Sequence, residues 1–333
     1  MAPNAGKVYD SWGFDLDTVG GVDTIQLRHV DGPTVKTIWH DPLPDMRERW
    51  CEIALCASQE LHTGLLKHLK ATEGHPVKSS PETEIADIDC ERGIIRTSEG
   101  SAMEKDLIVL ANELEVPKCR FLDRITGKNH PLLDTDCSAY RYLRSAQEVL
   151  DGPETRPLFE SQDDEICIFQ NFAASTSIVT YLSQGGKTRG INVSRPGPAS
   201  KGSKAGDAAH AMKPQQGQGA SIAIESTGCL EVLCNGVGKE DVQSRLKLFD
   251  ELRRRRCPPA QLFSNMPLGP NSYSWLLENI KPSWDPAKPL PSPGSRPLSK
   301  PYRDVFYGYN AREESEIALA EHQKQNSHLN GTT

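Results

Sequence analysis

The spacing of apolar and polar residues predicts a chain in which short strands alternate with helices. Near the start, the pattern predicts a short helix at Val8–Trp12 and then a β-hairpin that pairs Thr24–His29 with Val35–His40. A helix is predicted over Glu60–Lys70, because the leucines of this segment recur with helical spacing. Both kinds of element therefore occur early in the chain.

Strand signals dominate the middle of the chain. A second hairpin, Glu84–Asp89 with Gly93–Thr97, leads to the apolar run Asp106–Ala111, which we expect to be a buried strand. Residues 194–206 are rich in Pro, Gly, Ser and Lys, which is typical of a linker. Between these segments, turn residues separate four further predicted strands, which we expect to form a sheet: Tyr140–Leu143, Ile166–Phe169, Ser177–Leu182 and Thr188–Val193.

The last third of the chain predicts helices and one extended segment. Helices are expected at Ala220–Asn235, Val242–Arg256 and Ala311–Gln325, with a disordered tail after Asn326. The proline-rich residues 281–301 predict an extended surface connector, with a ligand for an SH3-type domain as the alternative.

Composition and charge restrict the classes of partner. The 333 residues carry 38 Lys+Arg against 45 Asp+Glu, a net charge of −7, which offers no general footprint for nucleic acid or an anionic membrane. The nine cysteines include no C-x-x-C pair, which favours free thiols in a reducing compartment. No signal peptide and no apolar run of about 18 residues is visible. These features predict a cytoplasmic protein without a transmembrane segment or a nucleic-acid partner.

The strongest chemical signal is a glycine-rich approach to a helix. Gly206-Asp207-Ala208-Ala209-His210 and Pro214 precede Gly217-Gln218-Gly219-Ala220, which opens a predicted helix. A helix start offers unpaired amides to a carbonyl or anionic oxygen, and glycine lets a ligand approach the backbone closely. The aspartate can accept hydrogen bonds from ligand hydroxyls. Taken alone, such a motif is about as often an ordinary loop and helix cap.

With these residues, the chain resembles the class A FAD-dependent monooxygenases, which are aromatic hydroxylases of the salicylate and p-hydroxybenzoate hydroxylase type. G-D-A-A-H followed by P-x-x-x-Q-G is similar to the second flavin motif of that family. Further segments match in the family's order: Pro3-Asn4-Ala5, Glu60-Leu61-His62 and Arg253-x-x-Arg256. The resemblance implies an α/β fold with an incomplete Rossmann-like FAD-binding layer, a β-sheet substrate layer and C-terminal helices.

The resemblance also implies roles for five residues. Asp207 would bind ribityl or ribose hydroxyls of FAD, and the amides of Gly219 and Ala220 would face the pyrimidine end of the flavin. Arg141 and Tyr181 match positions that orient and deprotonate a phenolic substrate. By themselves, Arg141 is more often a surface residue paired with an acid, and Tyr181 a sheet aromatic. Arg253-x-x-Arg256 is most simply a cationic helix C-terminus.

The implied activity is hydroxylation of a phenolic, aromatic or polyketide-type small molecule with FAD, NAD(P)H and O2, and with no metal, in secondary metabolism of the fungal type. The implied organisation has four parts. Residues 1–136 form a partial FAD-binding region, 137–197 the substrate sheet, 198–265 the second flavin motif with its helices, and 266–333 a proline-rich extension, C-terminal helix and tail.

The sequence departs from the family pattern at four places, which weakens the expectation that this chain binds FAD and is active. No G-x-G-x-x-G occurs, Ser58 stands where the family has a flavin-contacting arginine, and Asn112-Glu113 replaces a D-G pair. The stretch from Val193 to Gly206 is short and contains no apolar strand. They predict a chain that is N-terminally truncated with an internal deletion. They also keep two alternatives open: a decayed flavin-fold remnant acting as a scaffold, and a module that holds a phenolic ligand without redox chemistry.

Overall fold

A mixed six-stranded sheet and a layer of helices make up most of the structure, a computed structural model. It describes residues 1–43, 54–55, 58–74, 77–111, 127, 137–160, 164–196, 212–213, 216–266, 272–286, 289–292, 295 and 299–330. The described strands are β1 (Val22–Asp23), β2 (Gln26–Asp31), β3 (Thr37–Pro42), β4 (Ala54–Leu55), β5 (Ile85–Asp89), β6 (Ile94–Thr97), β7 (Ala102–Glu104), β8 (Cys137–Ser145), β9 (Glu165–Asn171), β10 (Thr176–Ser183) and β11 (Thr188–Pro196).

The helices are concentrated in the second half of the chain. They are α1 (Pro3–Ser11), α2 (Ser58–Ala71), α3 (Ala146–Asp151), α4 (Arg156–Phe159), α5 (Gly219–Cys234), α6 (Val242–Asn265), α7 (Ser272–Ile280), α8 (Lys300–Tyr307) and α9 (Ala311–Asn330), with a 3-10 turn at Leu16–Val19. None of the helices in the described ranges combines the length and apolar character needed to cross a membrane.

The large sheet has the strand order β3-β2-β9-β10-β11-β8. Neighbouring strands are antiparallel, except that β2 and β9 run parallel. All four strands predicted in the middle of the chain are therefore confirmed, and so is the hairpin of β2 and β3. That hairpin comes from residues 1–136 but lies in the same sheet as the four strands of 137–196. A separate antiparallel sheet contains β5, β6 and β7.

The two faces of the large sheet have different neighbours. On one face, Phe159 of α4 packs edge-on against Phe169 and beneath the guanidinium of Arg189, whose Cζ lies 4.6 Å from the ring centre. On the other face, Leu27 and Ile166 pack into the hydrophobic cluster of the helical layer. Phe263 of α6 is fully buried in that cluster, among the rings of Trp284, Tyr302 and Phe306. The sheet is therefore sandwiched between two helical layers along part of its width.

Helix α6 corrects one prediction. The sequence predicts an end at Arg256, with Arg253 and Arg256 as a cationic helix C-terminus, but α6 continues through Pro258 and Pro259 to Asn265. Each proline removes one amide that would bond four residues back. Those residues, at positions 254 and 255, are exposed, so water can satisfy their carbonyls. Arg253 and Arg256 are instead buried and bind the fully buried carboxylate of Glu225 on α5.

Three further predictions are wrong in the described residues. Asp106–Ala111 is not a strand: no ladder pairing occurs there, and Val109 is 59% exposed. A strand needs a neighbour to accept its hydrogen bonds, and the described residues place none beside this segment. The C-terminal helix runs to Asn330, so the predicted tail is helical beyond Asn326. The first three residues of the predicted linker, 194–196, belong to strand β11, which ends at Pro196. Residues 197–211 lie outside the described ranges.

Candidate functional site

Strand register places the predicted substrate residues on one face of the large sheet. Tyr181 of β10 lies opposite Gly190 of β11, and Asn192 of β11 lies opposite both Val179 and Arg141. Because side chains two positions apart share a face, Arg141, Tyr181 and Asn192 all project from the same side. With strands about 4.8 Å apart, the Cα atoms of Arg141 and Tyr181 are separated by about 12 Å. One small ring can span the space between their side chains.

The ring of Tyr181 lies across the neighbouring strand. A Cβ atom on Gly190 would be 2.9 Å from Cε2 of Tyr181 and 3.0 Å from its Cζ, which is closer than carbon atoms pack. Gly190 is buried beneath the ring, whereas Arg141 at the edge strand is exposed and Asn192 is half-buried. The face is therefore closed by Tyr181 on one side and open towards Arg141 on the other.

The same face and the start of α5 both contribute to one hydrophobic cluster. Leu27 and Ile166 on the sheet share a hydrophobic cluster with Ile222, which lies in the first turn of α5. Ile222 is fully buried in that cluster, so the start of the helix and this face of the sheet border the same core. The glycine-rich approach and the predicted substrate face are thus parts of one region.

The approach to α5 has the backbone that the sequence predicts. Gly217 adopts a left-handed conformation, with φ of +60°, and Gln218 caps the helix without a side-chain cap hydrogen bond. Gly219 and Ala220 are the first helical residues, so their amides have no carbonyl within the helix to bind. These amides and the positive end of the helix favour an oxygen acceptor.

Two glutamine amides add donors at this turn. Gln216 is 4% exposed and Gln218 is 1% exposed, and within the described part of the chain the Nε2 atom of each has no hydrogen-bond partner. Oε1 of Gln218 accepts a 3.0 Å hydrogen bond from Nδ2 of Asn4. Buried donors are nearly always paired in folded proteins, so unpaired ones beside free helix amides indicate a place for a ligand acceptor.

A buried ionic cluster supports the first turns of α5. Burial raises the pKa of Glu225, but the charges of Arg256 and Arg253 and a hydrogen bond from Asn4 outweigh it and hold that pKa below its usual value. Arg256 also donates to the carbonyls of Val305 and Phe306 on α8. The cluster thereby joins α1, α5, α6 and α8 through charge-assisted hydrogen bonds.

The predicted cofactor residues have different outcomes. Gly219 and Ala220 stand at the start of α5, as the sequence predicts. Asp207 lies outside the described residues, as does the Asn112-Glu113 pair. Ser58 is the first residue of α2. The sequence does not predict Asn4, Gln216, Gln218, Gly190 and Asn192 as site residues. Alternation along β11 puts Gly190 and Asn192 on one face, and the register with β8 puts Arg141 on that face too.

Two surface cavities lie away from this region. One of about 400 Å³ is lined by Ala146, Leu182 and Arg189, and one of about 540 Å³ by Asp23, Asp164 and Gly185. Leu182 and Arg189 face the side of the sheet opposite Tyr181, because they alternate with it and with Gly190 along the strands. Leu182 lines both cavities, so neither is centred on the face that carries Arg141.

Comparison of the sequence with known proteins identifies several monooxygenases. No protein-family model matches the chain. It is 23% identical over 324 residues to the FAD-dependent monooxygenase phomE' of Diaporthe leptostromiformis, covering 80% of this chain and 81% of that protein. Over 78 residues it is 41% identical to the FAD-dependent monooxygenase cfoG of Aspergillus candidus, which is 23% of this chain and 17% of that protein.

Solved structures show the same fold. CtdE in complex with FAD and a substrate superposes with a TM-score of 0.70 at 14% identity, covering 99% of this chain and 89% of that chain. A salicylate hydroxylase in a substrate complex gives a TM-score of 0.68 at 14% identity, covering 96% and 89%. The predicted α/β fold, with a substrate-type sheet and C-terminal helices, is confirmed.

Proposed function

Since the chain is a relative of the class A FAD-dependent monooxygenases, we propose that it hydroxylates a phenolic, aromatic or polyketide-type small molecule with FAD, NAD(P)H and O2 in secondary metabolism. The observation that carries this proposal is one hydrophobic cluster to which both the start of α5 and the sheet face bearing Arg141 and Tyr181 contribute. Relatives from the fungi Diaporthe and Aspergillus favour the biosynthetic role.

The residues at the start of α5 fit a flavin. The pyrimidine part of a flavin carries carbonyl and ring-nitrogen acceptors, and the turn offers the amides of Gly219 and Ala220 with the buried amide donors of Gln216 and Gln218. Gly217 leaves the approach to the backbone free of a side chain. We propose that these residues hold the pyrimidine end and that Asp207 binds ribityl or ribose hydroxyls. When bound, FAD supplies the redox chemistry and the oxygen activation.

On the sheet side, we propose that Arg141 and Tyr181 orient the substrate. The guanidinium of Arg141 stabilises a phenolate or carboxylate by charge, and it lies at the open side where a substrate enters. The ring of Tyr181 gives a flat apolar wall, and Asn192 places a carboxamide between the two. Together these groups select a planar, anionic or phenolic ligand and hold its ring over Gly190.

A second candidate function is ligand binding without redox chemistry. It is favoured by Ser58 at the first residue of α2 and by Glu113, where the family has an arginine and a glycine. Loss of a cationic contact and added bulk both weaken flavin binding. This chain would then hold a phenolic ligand on the face of Arg141 and Tyr181 with no oxygen consumption.

Purification of the full chain separates the two functions. The proposed enzyme binds FAD, oxidises NAD(P)H in the presence of a phenol, consumes O2 and gives a product that has gained one oxygen atom. A chain that stays colourless and binds no added FAD would contradict the proposal. Binding of a phenol by such a chain would support the second candidate.

Substitution of Arg141 tests the substrate side. Arg141→Ala is expected to retain FAD while raising the KM for the phenol about tenfold or more and lowering the fraction of NAD(P)H oxidation that yields product. Arg144→Ala is the matched control, because Arg144 is an exposed arginine on the same strand that faces the opposite side. Equal kinetic effects of the two substitutions would contradict the role of Arg141.

Substitution of Asp207 tests the flavin side. Asp207→Ala is expected to abolish FAD retention through gel filtration, since the ribityl or ribose hydroxyls lose their acceptor. Asp241→Ala, at an exposed position before α6, is the control. Retained FAD in the Asp207 variant would refute this assignment.

A further inference from the structure

A line of buried polar groups runs from the ionic cluster to the glycine turn before α5. Arg256 donates to Oε1 of Glu225 at 2.7 Å, and Arg253 donates to Oε2 at 3.1 Å. Nδ2 of Asn4 donates both to Oε1 of Glu225, at 2.7 Å, and to Oε1 of Gln218, at 3.0 Å. Asn4, Glu225 and Gln218 are each at most 1% exposed.

The charge of Glu225 decides which way both amides point. A carboxylate only accepts hydrogen bonds, so Asn4 must turn its NH2 group towards Glu225. An NH2 group only donates, so Gln218 must turn its carbonyl towards Asn4. The Nε2 atom of Gln218 is therefore directed away from the cluster. Reversing either amide would place two acceptors or two donors against each other in a buried site.

The outward donor of Gln218 has no partner among the residues that the structure describes. It lies one residue before the free amide of Gly219, and Gln216 presents a second buried, unpartnered donor two residues earlier. Leaving such a donor unpaired destabilises the folded protein. A donor that is kept unpaired, and held in one orientation by a buried charge, is explained by a bound acceptor.

We propose that Gln218 binds the flavin directly, by donating from Nε2 to an acceptor of the pyrimidine ring, and that Asn4 is a positioning residue that holds this carboxamide in place. This proposal rests on the proposed function, because it takes flavin as the ligand. Glu225 acts only through Asn4. The role of Gln218 is separate from that of the backbone amides of Gly219 and Ala220.

Gln218→Met is the first test, because methionine keeps the length of the side chain and removes the amide. We expect the Kd for FAD, measured by quenching of flavin fluorescence, to rise about tenfold or more. The substitution removes one unpaired donor and one hydrogen bond, so the melting temperature of the flavin-free protein should change by less than about 2 °C. Gln243→Met, at an exposed position of α6, is the control and should change neither quantity.

Gln218→Glu separates donation to flavin from packing. Its carboxylate can still accept from Asn4, but an oxygen replaces Nε2, so FAD should bind at least as weakly as to the methionine variant. Asn4→Ala should weaken FAD binding less than Gln218→Met does. The double variant Asn4→Ala/Gln218→Met should bind FAD no more weakly than Gln218→Met alone, because Asn4 acts through Gln218. Additive losses would contradict the positioning role of Asn4.

The outcomes distinguish this proposal from the function on which it rests. If the unsubstituted chain binds FAD and Gln218→Met binds it equally tightly, the role of Gln218 is wrong while the proposed function stands. If the unsubstituted chain binds no FAD, both are wrong.

Discussion

At the scale of the residue, Gly190 sets the position of Tyr181. The ring of Tyr181 lies where a Cβ on Gly190 would be, 2.9 Å from Cε2. Gly190 has no left-handed backbone conformation, so an alanine there is strained only by its contact with the ring. The glycine therefore serves the packing of one aromatic side chain.

Gly190→Ala is expected to lift the ring of Tyr181 from the sheet. Overpacking of this kind costs about 1–3 kcal/mol of unfolding free energy, which urea denaturation would measure. The KM for a phenolic substrate should rise, while the Kd for FAD stays unchanged. Ser194→Thr is the control, since it also adds a methyl group to the same face of β11. An unchanged KM in the Gly190 variant would contradict the positioning of substrate by Tyr181.

At the scale of the element, the sequence predicts the large sheet well and its neighbours less well. The strands around Tyr181 are short runs bounded by turn residues such as Gly185-Gly186, so their positions can be read from the sequence. The prediction for Asp106–Ala111 is wrong because a continuous apolar run is too short to show a helical or strand periodicity. Whether such a run forms a strand depends on a partner strand. The end of α6 misleads because prolines normally stop a helix, yet burial of Arg253 and Arg256 against Glu225 keeps the helix in place.

The candidate site was only partly predictable for a related reason. Gly219 and Ala220 are found by a local motif, whereas the register of β8 and β11, which puts Arg141 and Asn192 on one face, is known only from the structure. The orientation of Gln218 depends on Asn4, which is 214 positions away, so no local pattern can indicate it. Long-range hydrogen bonds of this kind become visible only when the elements are packed.

Glu225 on α5 binds two arginines of α6, and its ionisation should make the stability of this helix pair depend on pH. The pKa of Glu225 is lower in the folded chain than the ordinary value of 4.5, so the unfolded chain takes up a proton first as the pH falls. Its stabilising contribution is full above pH 4.5 and is lost as the pH falls through the folded pKa. Glu225→Gln should be less stable at pH 7 by about 3–5 kcal/mol, because two buried arginines lose their counter-charge.

Urea unfolding between pH 7 and pH 3.5 measures this effect. The unfolding free energy of the unsubstituted chain should fall more steeply below pH 4.5 than that of Glu225→Gln. Glu251→Gln, at an exposed position on α6, should behave like the unsubstituted chain. Parallel pH profiles for Glu225→Gln and the unsubstituted chain would show that the buried carboxylate does not couple the helices.

At the scale of the whole molecule, the reactivity of the cysteine thiols can measure how well the sheet and the helical layer are packed. Cys167 lies in the sheet, and Cys229 and Cys257 lie in the helical layer. All three are free thiols; Cys167 and Cys229 are buried and Cys257 is half-buried, and burial raises the pKa of each. Cys90 is free and exposed near the β5–β6 turn. The reactive form of cysteine is the thiolate, so burial should slow the modification of the first three.

Alkylation with iodoacetamide at pH 8, followed by peptide mass spectrometry, should modify Cys90 at least about tenfold faster than Cys167, Cys229 or Cys257. In denaturant the four rates should become similar, which controls for intrinsic reactivity. Modification of Cys229 as fast as Cys90 without denaturant would indicate that the packing of α5 in the helical layer is open.

The two ends of the chain meet at α1, and this has a consequence for the newly made protein. Asn4 binds Glu225, 221 positions later, and Lys7 donates to the carbonyl of Gly308, 301 positions later. At about 5–20 residues per second, the ribosome needs about 11–44 s to reach Glu225 after Asn4 and about 15–60 s to reach Gly308 after Lys7. During that interval Val8, whose buried side chain lies against Gly228 of α5 in the finished fold, has no α5 to cover it. The nascent chain thus leaves part of the buried face of α1 uncovered until α5 has been made.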